Sequence, residues 1–162
     1  MLDSLAGNVG TSLSMAEMGL RLVLAATFGG VIGLDRELKD RPAGLRTHMI
    51  TSLAACVFTI LSLELFLQVR ALENPVSADP IRIIEAVTAG VAFLAAGAII
   101  SGRGRVRGLT TGAGMWLAGS IGLACGAGFY VLATMALVLT VIILTVLRRL
   151  EVRLPRNSDG KD

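Results

Sequence analysis

The chain is poor in the side chains from which catalytic and metal sites are usually built. Its 162 residues include one histidine and two cysteines. No Ser-His-Asp set and no Cys/His cluster can be recognised among them. We therefore predict a protein that is not an enzyme and uses no cofactor. Whether it binds a metal ion stays open at this point.

The two cysteines are not expected to form a disulfide. Cys56 falls near the middle of one apolar run and Cys125 at the end of another. Ten helical residues between Cys56 and the membrane edge correspond to roughly 15 Å of depth. We interpret both as small, buried, apolar residues.

Charge is scarce as well. Charged residues make up 17% of the chain, while 54% of its residues are hydrophobic. An average soluble domain is roughly 25% charged. The net charge is +3, but the basic residues lie between apolar runs rather than in one patch, so nucleic acid is not an expected partner. The first seventeen residues contain no lysine or arginine, which argues against a cleaved signal peptide.

What the sequence does have is long apolar runs. A helix needs about 17–25 mostly apolar residues to cross the hydrocarbon core of a bilayer. Five segments qualify: 18–34, 47–67, 83–100, 109–127 and 129–147. The last two meet at Gly126-Ala127-Gly128, which we interpret as a tight turn between antiparallel helices. The predicted fold is an all-α membrane protein, a bundle of five transmembrane helices.

The distribution of lysine and arginine predicts the orientation, because cytoplasmic loops are enriched in them. Twelve fall in the first loop, the third loop and the C-terminal tail, against three at the opposite ends of the helices. We therefore predict an external N-terminal segment (1–17), a five-helix domain (18–147) and a basic cytoplasmic tail (148–162). The expected location is the inner (plasma) membrane of a bacterium, as a multi-pass protein in contact with the lipid bilayer.

Small residues recur at four-residue intervals in the first and fourth predicted spans. They are Ala25, Gly29 and Gly33, and Gly114, Ala118, Gly122 and Gly126. Such stripes let helix backbones approach closely within a bilayer. We expect them to pack helices of one chain together, and a seam between copies of a homo-oligomer is the alternative.

Four charged residues, here called the outer-face set, lie near the external ends of the predicted spans. They are Arg21, Glu64, Arg82 and Glu85. We expect structural ion pairs among them at the membrane edge. The alternative is the mouth of a cation site, since carboxylate oxygens are hard ligands. The two arginines argue against it, because they would neutralise the same carboxylates.

A second group of polar residues, here called the inner-face set, lies at the predicted cytoplasmic ends. Its members are Asp35, Glu37, Arg46, Thr47, His48, Arg107, Thr110 and Thr111. If the first helix continued through residue 41, acidic and basic side chains would pair at i, i+4. These pairs would be Asp35–Lys39, Arg36–Asp40 and Glu37–Arg41. We interpret His48 as a local hydrogen-bonding group, with pH sensing as the alternative.

The glycine-rich basic loop at 102–108 could suggest phosphate binding. It lacks the Gly-Lys-Ser/Thr sequence of a P-loop, and no strand precedes it. We interpret it as a turn that sets topology, with anionic lipid headgroups as a second possible contact.

Several of these motifs resemble those of the MgtC/SapB family of bacterial inner-membrane proteins. The similar segments are Gly-Leu-Asp-Arg-Glu (33–37), Ala-Gly-Leu-Arg-Thr-His (43–48), Asp-Pro-Ile-Arg-Ile (79–83), 90–97 and Val-Arg-Gly-Leu-Thr-Thr (106–111). The resemblance spans about residues 18–147. The chain departs from the family pattern at Ala92 and Ala95, where glycine is usual, and at Ala86, where glutamine is usual. Longer members of the family append a soluble C-terminal domain, and the resemblance leads us to expect a short member without it.

The resemblance implies a regulatory role without enzymatic activity. Family members are associated with virulence and with adaptation to magnesium limitation, acid or other stress inside a host. They are viewed as acting on other inner-membrane proteins, with ATP synthase the best-known target. The alternative function is transport of Mg²⁺ or protons through a channel or carrier.

Overall fold

The computed structural model describes residues 11–71, 79, 81–100 and 108–153, and the regular structure in these ranges is helical throughout. Five helices follow one another: α1 (Met15–Glu37), α2 (Leu45–Arg70), α3 (Arg82–Ile100), α4 (Leu109–Gly126) and α5 (Tyr130–Arg153). Each corresponds to one predicted span; α1, α2 and α5 are several residues longer than predicted and α3 is one residue longer. The all-α architecture is therefore confirmed for the described ranges.

Three of these helices are long and apolar enough to cross a bilayer: Met15–Glu37, Leu45–Arg70 and Arg82–Ile99. The described apolar part of α5, Tyr130–Val146, is shorter. Helices of this length and hydropathy are characteristic of membrane proteins.

Helices α1, α2 and α4 form the centre of the bundle, with α3 packed mainly on α4 and α5 on α4 and α1. Gly33 of α1 lies at the start of α2, where its Cβ position would be 2.8 Å from the Cα atom of Leu45. Gly29, one turn earlier in α1, lies against Ser52, two turns after Leu45 in α2. α1 and α2 are therefore antiparallel neighbours whose backbones nearly touch.

Helix α4 runs parallel to α2 and approaches it as closely. Gly114 lies against His48, whereas the Cβ position of Gly126 would be 2.7 Å from the carbonyl oxygen of Cys56. α4 therefore ends beside the middle of α2. From Thr59 to Arg70, a distance of eleven residue steps, α2 continues for about 16 Å at 1.5 Å per residue.

The two cysteines lie in one core cluster between α2 and α4. Because Gly126 touches the backbone of Cys56, Cys125 lies at nearly the same depth as Cys56. The prediction of roughly 15 Å between their depths is wrong, since it assumed that α4 ends level with the end of α2. Both thiols are buried and free.

The predicted turn between the last two helices is confirmed. α4 ends at Gly126 and α5 begins at Tyr130. Gly128 has φ +81°, a left-handed conformation that glycine adopts at no steric cost. The chain can therefore reverse direction within three residues.

Candidate functional site

The end of α1 carries a buried cation. Arg36 is 4% exposed, and its Nη2 donates to Oδ2 of Asp35 at 2.8 Å. Lys39 also pairs with Asp35, as the sequence predicts. A buried charge is tolerated only when it is paired, so Asp35 neutralises Arg36 at the point where α1 leaves the bundle.

Glu37 connects α1 to the start of α2. Its carboxylate accepts a hydrogen bond of 2.9 Å from the backbone N–H of Leu45, and it lies directly over Gly44, where a Cβ atom would overlap it. Gly44 has no side chain with which to cap α2, so an acidic group from α1 satisfies the helix N-terminus instead. This contact fixes the angle between the two helices.

The prediction that the first helix continues through residue 41 is wrong. α1 ends at Glu37, and Asp40 adopts φ +48°, outside the helical region. Of the three predicted i, i+4 pairs only Asp35–Lys39 forms. Arg36 turns to the adjacent Asp35 rather than to Asp40, and Glu37 is drawn to the free N–H at the start of α2 rather than to Arg41.

His48 lies where α1, α2 and α4 meet, and it is fully buried. Its Nδ1 is 2.8 Å from the carbonyl oxygen of Gly44. Because a carbonyl only accepts, Nδ1 is assigned the proton. Nε2 points towards Gly114, whose Cβ position would be 3.1 Å away, and it has no hydrogen-bond partner in the described part of the chain.

His48 begins a buried polar stripe along α2 that continues through Ser52 and Thr59, with the apolar Cys56 between them. The Thr59 hydroxyl donates to the carbonyl of Ala55 at 2.7 Å, whereas Ser52 Oγ has no partner among the described residues. The stripe faces the glycines of α1 and α4, which offer no side-chain partners. Sequence analysis did not identify Ser52 or Arg36, although the four-residue spacing from His48 to Ser52 and Cys56 was a usable signal.

The rest of the inner-face set divides by exposure. Thr111 is buried and Thr47 is half-buried, while Arg46 and Thr110 are exposed. Arg107 lies outside the described residues. Arg46 and Thr110, at the first turns of α2 and α4, are here called the exposed rim.

Glu64, in the part of α2 that extends past α4, is buried but fully engaged. Its Oε2 accepts from the backbone N–H of Ser12 at 2.8 Å. Its Oε1 accepts from the Ser12 hydroxyl at 2.6 Å and from the N–H of Leu13 at 3.2 Å. Leu13 packs against the core cluster. Glu64 thus holds the segment before α1 against the bundle.

Arg21 is also buried, and it closes the end of α4. Its Nη1 donates to the carbonyl of Gly126 at 2.6 Å, and its Nη2 pairs with Glu17 at 2.5 Å. A cation at a helix C-terminus is favourable because the last carbonyls have no partner within the helix. Arg82 and Glu85 are exposed. None of the ion pairs between described residues joins two members of the outer-face set, so the pairing predicted within it does not form there.

No three His, Cys, Asp or Glu side chains come together as a metal site within the described ranges. The two clusters that the structure does show are built differently. One, at Arg36–Asp35–His48, lies where the first turn of α2 meets α1 and α4. The other, at Glu64–Ser12 and Arg21–Gly126, secures the opposite end.

Apolar helices that bury a polar stripe against glycines define an α-helical membrane protein. The chain belongs to the MgtC family, whose model matches residues 22–153. It is 39% identical over 139 residues to "Putative magnesium transporter YhiD" of Escherichia coli K12, covering 86% of this chain and 64% of that protein. No solved structure matches it.

Two further relatives show the same pattern of partial coverage. The chain is 40% identical over 116 residues to "Protein SapB" of Bacillus subtilis, covering 68% of this chain and 48% of the relative. It is 33% identical over 138 residues to "Protein MgtC" of Brucella abortus, covering 84% and 53% respectively. The chain therefore spans about half to two thirds of the length of these three relatives.

Proposed function

We propose that this chain is a non-enzymatic regulator in the bacterial inner membrane that acts by contact with other membrane proteins. Its role would be adaptation to magnesium limitation, acid or stress inside a host, and ATP synthase is the proposed class of target. The membership of the MgtC family supports the link to magnesium. The observation that favours regulation over transport is that buried Glu64, half-buried Asp35 and exposed Glu37 are all engaged by the protein itself.

Each of three acidic groups has a structural task. Glu64 accepts three hydrogen bonds from Ser12 and Leu13. Asp35 pairs with two basic side chains, and Glu37 caps α2. A site that moves a cation needs oxygen ligands that can be given up to the ion. In a regulator the same groups would keep the surface that contacts a partner in one conformation, and this is the function that we propose.

The proposed topology is five crossings, with the N-terminus outside and the C-terminus in the cytoplasm, because twelve of fifteen basic residues fall on one side. Single cysteines at Asn8 and Glu73 should then react with an impermeant thiol reagent added to intact cells, whereas one at Ser158 should not. The native cysteines are buried and provide a low background. Labelling at Ser158 but not at the other two positions would reverse the orientation.

Transport of Mg²⁺ or protons is the alternative function. One relative carries the name of a putative magnesium transporter. In addition, His48 Nε2 and Ser52 Oγ are buried polar atoms without partners in the described part of the chain. Such groups inside a membrane often mark an ion or proton pathway. A transporter would need these groups to become hydrated in another conformation.

Two measurements on the same variants separate the functions. Purified wild-type protein in liposomes should give Mg²⁺ uptake no greater than protein-free liposomes. In cells that depend on this protein for growth in low magnesium, Arg46→Ala should lose activity while its abundance and melting temperature stay at wild-type values. The reason is that Arg46 is exposed and is available to a partner. Glu64→Gln, at the opposite end, should retain most growth.

Arg41→Ala is the control for Arg46→Ala, because Arg41 is also an exposed arginine but does not belong to the exposed rim. It should grow like wild type. Wild-type Mg²⁺ flux that Glu64→Gln eliminates would overturn the regulatory function and establish transport in its place.

A further inference from the structure

A groove runs between α2 and α3. Both helices pack on α4, but they contact each other much less than either contacts α4. Small residues line the space between them, Ala54 on α2 and both Ala86 and Gly90 on α3. Nothing from a neighbouring helix lies within 4 Å of the Cβ position of Gly90. The two helices therefore enclose a cavity of about 340 Å³.

This groove continues to the end of the bundle at which Glu64 lies. A second cavity of about 330 Å³ shares Phe58 and Ile83 with the first and reaches Asp79. Phe58 is 53% exposed and Leu94 is 51% exposed, so the groove is open along its side. Because α2 and α3 are long and apolar enough to cross a bilayer, that side faces lipid acyl chains. Mostly apolar clefts of about 300–1,000 Å³ with a few polar groups are typical ligand sites.

Two oppositely charged residues lie where the groove reaches the end of the bundle. Asp79 lines the second cavity, and Arg82 lies one turn before Ala86, which lines the first. Their backbones are joined by a hydrogen bond of 3.3 Å from the Arg82 N–H to the Asp79 carbonyl, yet their side chains form no ion pair with each other or with another described residue. Oδ1 of Asp79 accepts from the N–H of Ile81 at 2.9 Å, and its second oxygen has no partner among the described residues. Both charges are exposed and available to a ligand.

The order of these groups along the groove matches that of one membrane lipid. α3 runs from this end into the bundle, so Asp79 lies furthest out, Arg82 follows, and the apolar lining begins at Ile83. In phosphatidylethanolamine the ammonium lies furthest out, the phosphate follows, and the acyl chains come next. Arginine binds phosphate strongly, and a carboxylate binds an ammonium group. Phosphatidylglycerol also carries a phosphate, but it offers no cation to Asp79.

We infer that the groove between α2 and α3 binds one phosphatidylethanolamine molecule, with its ammonium on Asp79, its phosphate on Arg82 and an acyl chain between the two helices. The bound lipid would cover α3, in which 17% of the apolar window is buried against 39% in α2. This site lies away from the Arg36–Asp35–His48 cluster, and it does not depend on the proposed regulatory function.

Native mass spectrometry of the full-length protein tests the site. The protein is reconstituted in vesicles of equal parts phosphatidylethanolamine and phosphatidylglycerol and extracted in mild detergent, and the lipids that stay bound are counted. The wild type should retain one phosphatidylethanolamine molecule, several-fold more often than phosphatidylglycerol. Gly90→Leu should retain several-fold less, because the added side chain enters the open cavity. Gly19→Leu, at a glycine with equally open surroundings outside the groove, should behave like wild type.

Equal retention of the two lipids by the wild type would overturn the inference, because an acyl chain held without headgroup preference does not need Asp79. Equal retention by Gly90→Leu and Gly19→Leu would also overturn it, because the lipid would then lie outside the groove.

Asp79→Asn tests the headgroup separately, since it removes a charge at an exposed position and should leave the melting temperature unchanged. The preference for phosphatidylethanolamine over phosphatidylglycerol should fall several-fold. Glu85→Gln is the matched control, because Glu85 is an exposed acidic residue in the first turn of α3 that lines neither cavity. It should keep the wild-type preference. An unchanged preference in Asp79→Asn, or an equal loss in both variants, would overturn the proposed site.

Discussion

Replacement of Gly122 by leucine is expected to abolish accumulation of the folded protein. A Cβ atom at Gly122 would overlap the carbonyl oxygen of Ser52 and lie 2.9 Å from the Cα atom of Ser52. These are backbone atoms, so no side-chain rotation relieves the clash, and α2 and α4 must separate. Separation would expose the polar stripe of α2 to lipid, where unsatisfied polar groups are costly.

Gly19 offers a matched control, because it is also a helical glycine but has no atom within 4 Å of its Cβ position. Gly19→Leu should accumulate like wild type. Alanine substitutions at the two sites should change the stability of the protein in opposite directions. Gly19→Ala should stabilise the protein by up to about 1 kcal/mol through helix propensity, whereas Gly122→Ala should destabilise it. Yield after mild detergent extraction and melting temperature measure both effects, and similar behaviour of the two sites would mean that Gly122 does not face α2.

Asp35→Ala is expected to cost about 3 kcal/mol of folding free energy, near the lower end for breaking a buried ion pair. The lower end applies because the Asp35 side chain is 27% exposed, whereas that of Arg36 is 5% exposed. Loss of Asp35 leaves the Arg36 cation buried with no described anionic partner. Denaturation of the Asp35→Ala variant in detergent would measure this loss of stability. Asp35→Asn removes only the charge, and it should abolish growth in low magnesium.

Arg36→Met supplies the second arm of a double-mutant cycle. It removes the buried cation and leaves Asp35 paired with Lys39, so its cost should be small. In the double variant Asp35→Ala/Arg36→Met the buried guanidinium is gone and only Lys39, whose side chain is 13% exposed, is left without its anionic partner. Part of the stability lost in Asp35→Ala should therefore return. A double variant no more stable than Asp35→Ala would show that Asp35 acts through packing rather than by neutralising Arg36.

The helices could be predicted because the thickness of a bilayer fixes the length of an apolar run that crosses it. The same logic located the turn at Gly126–Gly128, where two runs are too long together for one crossing. The residue at which α1 ends could not be predicted in this way. It depends on whether Glu37 pairs with Arg41 along its own helix or with Leu45 across a turn, and both options satisfy a local charge rule.

The candidate site was only partly predictable, since burial depends on how each helix is rotated about its axis. His48 and Asp35 were identified as polar residues near a helix end, but Arg36 was not singled out because an arginine beside a membrane surface is ordinary. Its burial follows from the approach of α1 to α2 at Gly29 and Gly33. Glu64 was recognised as unusual within a span, yet its partner Ser12 lies 52 residues away, beyond the reach of spacing rules.

The parallel packing of α2 on α4 has a consequence for how the protein is made. When α1 and α2 leave the ribosome, His48 and Ser52 have only the glycines of α1 beside them. Their other neighbour, α4, follows after residues 71–108 and is itself 18 residues long. At 5–20 residues per second this interval lasts roughly 3–11 s. During that time the polar stripe must contact the insertion machinery or water. It is buried only when α4 packs against the hairpin formed by α1 and α2.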